Sequence, residues 1–309
     1  MPDSSGHARL SPPAPASGPV SRAAAVAASA PAPAPAFRPA TVAAPGSAPA
    51  ATGAPVSSSA PARPVVSPEV PVHPSGRRLG VILGAVLAIL AAVNVADKYG
   101  PRHTGLVAGP LVALTLVLIA RRAGLSWHDL GLSRRTLVPG LRYALGAVGI
   151  VAAIYTLGAA IPATRVAFHD VRYHLHPGAA LLTAFVVVPL GTVLLEEVAF
   201  RGVLLGLVHR HRGATWASIT SSVLFGLWHI LPSLRLAQVN KAVGGALGIG
   251  ATGQILAILG AVAFTALAGL LLCELRRRSG SLLAAAALHW ATNGLGLLVA
   301  TVLATTRLT

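Results

Sequence analysis

The feature that most constrains this chain is a succession of long apolar stretches with almost no charge inside them. Beginning at Leu79, seven are legible, at roughly 79–96, 104–120, 143–161, 179–207, 215–231, 250–273 and 281–303. Each approaches the ~20 residues that an α-helix needs to cross a bilayer. Only 10% of the residues are charged, against about a quarter in soluble domains. The expected fold is therefore all-α: a polytopic transmembrane helix bundle of about seven spans, with an eighth short helix near the C-terminus as the alternative. Pro189 and Gly191 fall inside the fourth stretch, where a membrane helix tolerates them with a local kink.

The first 76 residues differ from the rest. They hold 17 of the 24 prolines, mixed with Ala, Ser and Val. Such a segment buries too little apolar surface to offset its ordering entropy, so residues 1–76 are expected to be a disordered low-complexity tail. Residues 77–309 are the expected membrane domain. No uninterrupted apolar run follows a basic start, so the tail does not read as a signal peptide.

A formal charge of +16 suggests nucleic acid until its placement is considered. The basic residues cluster between apolar runs, which is how loops of membrane proteins carry charge. The expected partner is thus the lipid bilayer, with no nucleic acid. With the N-terminus cytoplasmic, 13 basic residues fall on inside loops and 7 on outside loops, the asymmetry that favours this orientation. Composition suggests a bacterial plasma membrane. The stretch Gly124–Arg135, with Trp127, reads as an interfacial segment, since Trp favours the headgroup level. Cys273 is the single cysteine, which excludes a disulfide framework or a cysteine-zinc cluster. The run Gly248-Ile-Gly250-Ala-Thr-Gly253 opens a membrane stretch and follows no strand, so close helix packing explains it better than dinucleotide binding.

Ionisable residues at membrane depth are functional candidates by default. The fourth stretch contains Glu196-Glu197-Val-Ala-Phe-Arg201-Gly202, the fifth Phe225-Gly-Leu-Trp-His229, and the last His289-Trp-Ala-Thr-Asn293. On a helix Glu197 and Arg201 share a face, so Arg201 can neutralise one carboxylate while Glu196 points about 100° away. A structural Glu–Arg pair at a helix end would explain one Glu, not two. His289 and Asn293 also share a face, and helix–helix hydrogen bonding is their bland reading. From the basic turn His209–Gly213, Glu196 lies roughly 18 Å deep and His229 roughly 21 Å, while His289 and Asn293 lie roughly 15 and 21 Å from the start of theirs. The polar groups are therefore expected in one layer. His174, His176, His209 and His211 are expected to be solvated or to face headgroups.

In order, these groups resemble the signature of the CPBP family of intramembrane proteases, also called type II CAAX prenyl endopeptidases or the ABI family: E-E-x-x-x-R, then F-x-x-x-H, then H-x-x-x-N. The resemblance covers about residues 179–300. It implies hydrolysis of a peptide bond near the C-terminus of a membrane-associated protein or peptide substrate, prenylated in the cases that named the family. Carried over by position, Glu196 is the general base, His229 orients the water, and His289 with Asn293 stabilises the oxyanion. Glu197 is assigned to the same catalytic set, with Arg201 and Phe225 supporting. No cofactor is the first reading. Zn²⁺ held by Glu196, His229 and His289 is the alternative, because such a set suits catalytic zinc. A transporter and a non-catalytic interaction or bacteriocin self-immunity protein are the competing functions. The absence of repeat symmetry argues against the transporter.

Overall fold

The computed structural model describes residues 76–101, 104–170, 172 and 175–305; the expected tail lies outside them apart from Gly76. Among the described residues there is no strand, and six helices are long and apolar enough to cross a membrane. They are α1 (Gly76–Tyr99), α2 (Thr104–Arg122), a helix that begins in the turn Arg134–Thr136 and continues as α3 (Leu137–Ala160), the 52-residue run Pro177–Trp228, α6 (Ala251–Ser279) and α7 (Leu282–Thr305).

The run Pro177–Trp228 is not one rod. At Gly213 the backbone takes φ 79° and ψ 177°, which reverses the chain. Glycine alone adopts that region without a Cβ penalty. The two arms, α4 (177–212) and α5 (214–228), then lie side by side. Ser221 Oγ of α5 donates to Phe200 O of α4 at 2.8 Å. Counting the arms separately gives the seven apolar segments read from the sequence, although α4 extends past the expected turn at His209.

The outward faces are apolar and the interfaces are small. Leu111, Leu114, Ile150, Ile154, Phe264 and Leu267 are all exposed, as suits helices whose solvent is lipid. A Cβ on Gly109 would lie 2.7 Å from Leu190 O, and one on Gly226 2.7 Å from Val262 O. These glycines let α2 approach α4, and α5 approach α6, backbone to backbone. Gly253 is tight for a local reason, since a Cβ there would meet Gly248 O of the turn before α6 at 2.0 Å; Gly248 and Gly250 have open space around them, so the close helix packing expected of this run is not what the described residues show.

α4 is the centre of the bundle. Every residue from Leu195 to Val208 is buried, the mark of a helix packed on all sides. Val86, Leu90 and Val93 of α1 join Leu116 and Ala120 of α2 and Leu195, Val198 and Phe200 of α4 in one apolar cluster. Three stretches wind as π-helix, Thr183–Val193, Val198–Leu204 and Ala291–Leu295. Such turns are rare and recur at functional sites.

Two loops tie the bundle ends. At one, Ser126 N–H donates to Asp129 Oδ2 and Asp129 N–H to Ser126 Oγ, a reciprocal cap. Burial opposes ionisation of Asp129, but the bonds from Ser126, with Arg210 nearby, outweigh it and hold the carboxyl below its ordinary range. At the other, buried Asp170 bridges Asn240 and accepts from Arg172 at 2.7 and 2.9 Å. Here too burial is outweighed, by the bonds from Arg172, and the carboxyl is held low. Of the histidines expected to be solvated, His209 is exposed, whereas His211 is half-buried with its Nε2 enclosed, and His176 and His211 make local bonds. His176 Nδ1 accepts from Gly178 N–H at 3.4 Å, and His211 Nδ1 donates to Leu207 O at 2.9 Å. His174 lies outside the described residues. With six membrane-length helices, the protein is an integral membrane protein.

Candidate active site

Glu196 and Glu197 occupy the four-residue α-helical link between two π-helical stretches of α4. Both are buried, as is Arg201 one turn on. Arg201 Nη1 donates to Glu197 Oε1 at 2.8 Å, the i, i+4 pairing expected from the spacing. The same oxygen accepts from His289 Nδ1 of α7 at 2.8 Å. Glu197 is thus the junction of a buried guanidinium–carboxylate–imidazole chain.

Glu196 is held differently. Its Oε1 accepts the indole N–H of Trp228 at 3.0 Å. Its Oε2 is buried without a hydrogen-bond partner and lies 3.7 Å from His289 Nε2, too far for a direct hydrogen bond. A polar gap of that length is where a bridging water fits. His289 therefore stands between the two acids, bonded to one and facing the other.

An aromatic hub fixes the imidazoles. The Phe225 ring meets His229 at 4.7 Å and His289 at 5.6 Å between centroids, both edge to face. Its face receives the Arg201 guanidinium at 3.9 Å, a cation–π contact strengthened by desolvation. His229 ends α5, and its Nδ1 meets Phe225 O at 2.8 Å. A carbonyl only accepts, so Nδ1 carries the proton and Nε2 of the neutral ring is left as an acceptor.

The structure brings Glu196, Glu197, Arg201, Phe225 and His289 into direct contact. It places His229 against the Phe225 ring, with no hydrogen bond to either acid among the described residues. Asn293 stands apart: it is exposed on the π-helical turn of α7, and no hydrogen bond joins its side chain to His289. Three contributors escaped the sequence reading. Trp228 holds Glu196; Asn94 Nδ2 of α1 donates to Trp228 O at 3.0 Å; Ser221 satisfies a carbonyl in a π-helical stretch. A buried indole needs an acceptor and a lone amide in an apolar helix needs a partner, so two of the three were in principle legible.

The zinc alternative requires Glu196, His229 and His289 to converge on one point. Among the described residues no three His, Cys, Asp or Glu side chains converge as a metal site. His289 directs Nδ1 to Glu197, and His229 directs Nδ1 to Phe225 O.

Comparison with known proteins adds one finding. Residues 178–295 match the family model described as Type II CAAX prenyl endopeptidase Rce1-like. All the groups named above except Asn94 lie within that stretch. Neither the curated proteins nor the solved structures contain a match to the chain.

Proposed function

With a type II CAAX prenyl endopeptidase Rce1-like domain spanning the buried polar layer, which supports intramembrane endopeptidase activity in general, we propose that this layer hydrolyses a peptide bond with Glu196 as general base and no metal. The carrying observation is the division of labour between the two acids. Glu197 Oε1 is committed to both Arg201 and His289, whereas Glu196 accepts from Trp228 alone; each acid keeps one buried oxygen without a partner, and that of Glu196 faces His289 Nε2 at 3.7 Å. A carboxylate poised next to a water site is what a general base requires.

The steps follow from the donors and acceptors. A water hydrogen-bonds to Glu196 Oε2, with His229 Nε2 as a second acceptor that orients it. Glu196 takes the proton as the water oxygen attacks the scissile carbonyl, and later delivers it to the leaving amine. His289, carrying both protons, donates Nδ1–H to Glu197 and Nε2–H to the developing oxyanion. In that state the two acids balance Arg201 and His289 in charge. Oxyanion donors are commonly the largest single contribution in acyl transfer. Asn293 is the second donor proposed for the oxyanion, on the strength of the family resemblance. The substrate is a membrane-associated protein or peptide cleaved near its C-terminus. The distribution of Arg residues supports a cytoplasmic N-terminus, and the composition of the chain supports a bacterial plasma membrane.

The test is cleavage of a peptide library by the full chain in detergent micelles, with products read by mass spectrometry. Glu196→Gln is expected to lower the rate about 10²-fold or more while leaving thermal unfolding unchanged. Wild-type activity is expected to persist in strong chelator. Activity abolished by chelation and restored by zinc would overturn the metal-free mechanism. Full activity in Glu196→Gln would overturn the role of the base.

A further inference from the structure

A second cavity, of about 480 Å³, opens at the bundle end where α4, α6 and the loop before α3 meet. Its walls include His128, Asp129, His209, Arg276, Arg277 and Arg278. None of these belongs to the site above. The volume is in the range of pockets that hold small molecules or headgroups.

The charges there do not cancel. Arg277 and Arg278 share the single carboxylate of Glu274, and Asp129 is paired with Arg210 at 3.2 Å. Arg276 has no carboxylate partner, yet it is only 7% exposed. It is built into place: Nη2 donates to both His128 O and Asp129 O at 3.0 Å. Its Nε is enclosed without an acceptor, against the Gly131 backbone, where a Cβ would come within 2.2 Å of it. Nη1 is then the guanidinium nitrogen left to serve the cavity that Arg276 lines. A fixed, buried cation among four guanidiniums and two carboxylates calls for an anion.

The surroundings indicate which one. Trp127 is 51% exposed on the same loop, with the Arg121 guanidinium 4.8 Å over its ring. Arg122, Arg134, Arg135 and Arg212 are exposed at this end as well. An amphipathic ring at headgroup level within a belt of arginines marks the surface of an anionic leaflet. Basic pockets between membrane helices on such a surface are suited to lipid phosphates.

We propose that this cavity holds the phosphate of an anionic phospholipid headgroup, with Arg276 as its fixed anchor and Arg277 and Arg278 at its rim.

The experiment is native mass spectrometry of the full chain in detergent, titrated separately with phosphatidylglycerol, phosphatidylcholine, inorganic phosphate, and a short peptide in free-acid and amidated forms. Phosphatidylglycerol is expected to be retained at least tenfold more tightly than phosphatidylcholine. The rim double variant Arg277→Gln/Arg278→Gln, whose side chains are 50% and 67% exposed, is expected to lose that preference without a change in unfolding temperature. Arg276→Gln is expected to lose it as well, and if that variant fails to fold the rim variant decides. Equal retention of the two lipids, or an unaffected rim variant, overturns the proposal. So does displacement of phosphatidylglycerol by millimolar inorganic phosphate, which would make this a free-phosphate site. Displacement by the free-acid peptide but not the amidated one would make it a carboxylate site and equally overturn it.

Discussion

Replacing Arg201 with Met tests the central pairing directly. Arg201 is fully buried and bonded to a carboxylate that is itself 1% exposed. Methionine keeps the volume and packs well on an aromatic ring, so the Phe225 contact changes in charge more than in shape. What is lost is the one permanent cation bonded to Glu197 among the described residues. Removing one member of a buried ion pair costs about 3–5 kcal/mol, mostly for the charge left behind. The native pair is itself imperfect, because Arg201 Nε and Nη2 have no acceptors, so the lower end, about 3 kcal/mol, is expected. Glu197→Gln should restore much of it, because the double variant buries no orphaned charge. The coupling between the two sites is then about 2 kcal/mol, within the range for residues in contact. The assay is reversible unfolding of the four proteins of the cycle, by titration of the micellar protein with dodecyl sulfate. A loss below about 1 kcal/mol for Arg201→Met, or two single effects that simply add, would show that this pair does not hold the layer together.

Three further outcomes follow from other parts of the molecule. Trp228→Phe removes the donor that fixes Glu196 Oε1 and should lower kcat about tenfold or more, with KM and unfolding little changed; an unchanged kcat would show that the indole does not orient the base. Gly131→Ala should destabilise the fold by at least about 2 kcal/mol, because Gly131 has φ 72° and its missing Cβ would collide with Arg276; a neutral effect in an unfolding titration would contradict the geometry. Asp129 has a folded pKa held low, so its stabilising contribution is present above about pH 4, the ordinary carboxylate value, and disappears as pH falls through the depressed one. Wild type should therefore exceed Asp129→Asn in unfolding temperature at pH 7, and the gap should narrow below pH 4; a gap independent of pH would refute the linkage.

Much of this architecture is written in the sequence because the membrane allows few solutions. A bilayer forces backbone groups to bond within each helix, so the apolar runs translate into helices with errors of up to six residues at their ends. Glu197 and Arg201 were legible for the same reason, since helical spacing puts them on one face. What escaped depends on distances between helices. Nothing in the spacing of His289 says that its Nδ1 chooses Glu197 over Glu196, or that Phe225 seats both imidazoles. Asn293 shows how far periodicity reaches: it follows His289 by four residues, yet it is exposed and unbonded while His289 is buried. The π-helical stretches are equally invisible, because an i→i+5 bond leaves no mark in composition.

Asn94 carries a consequence for anyone dissecting the protein. It sits on the first helix, more than eighty residues upstream of the matched stretch 178–295, yet it grips the carbonyl of Trp228. An excised fragment bounded by the homologous stretch would leave that grip empty, and the shelf on which the indole rests would lose its fastening. The smallest unit that keeps this support for the polar layer is therefore wider than the stretch that matches the family model.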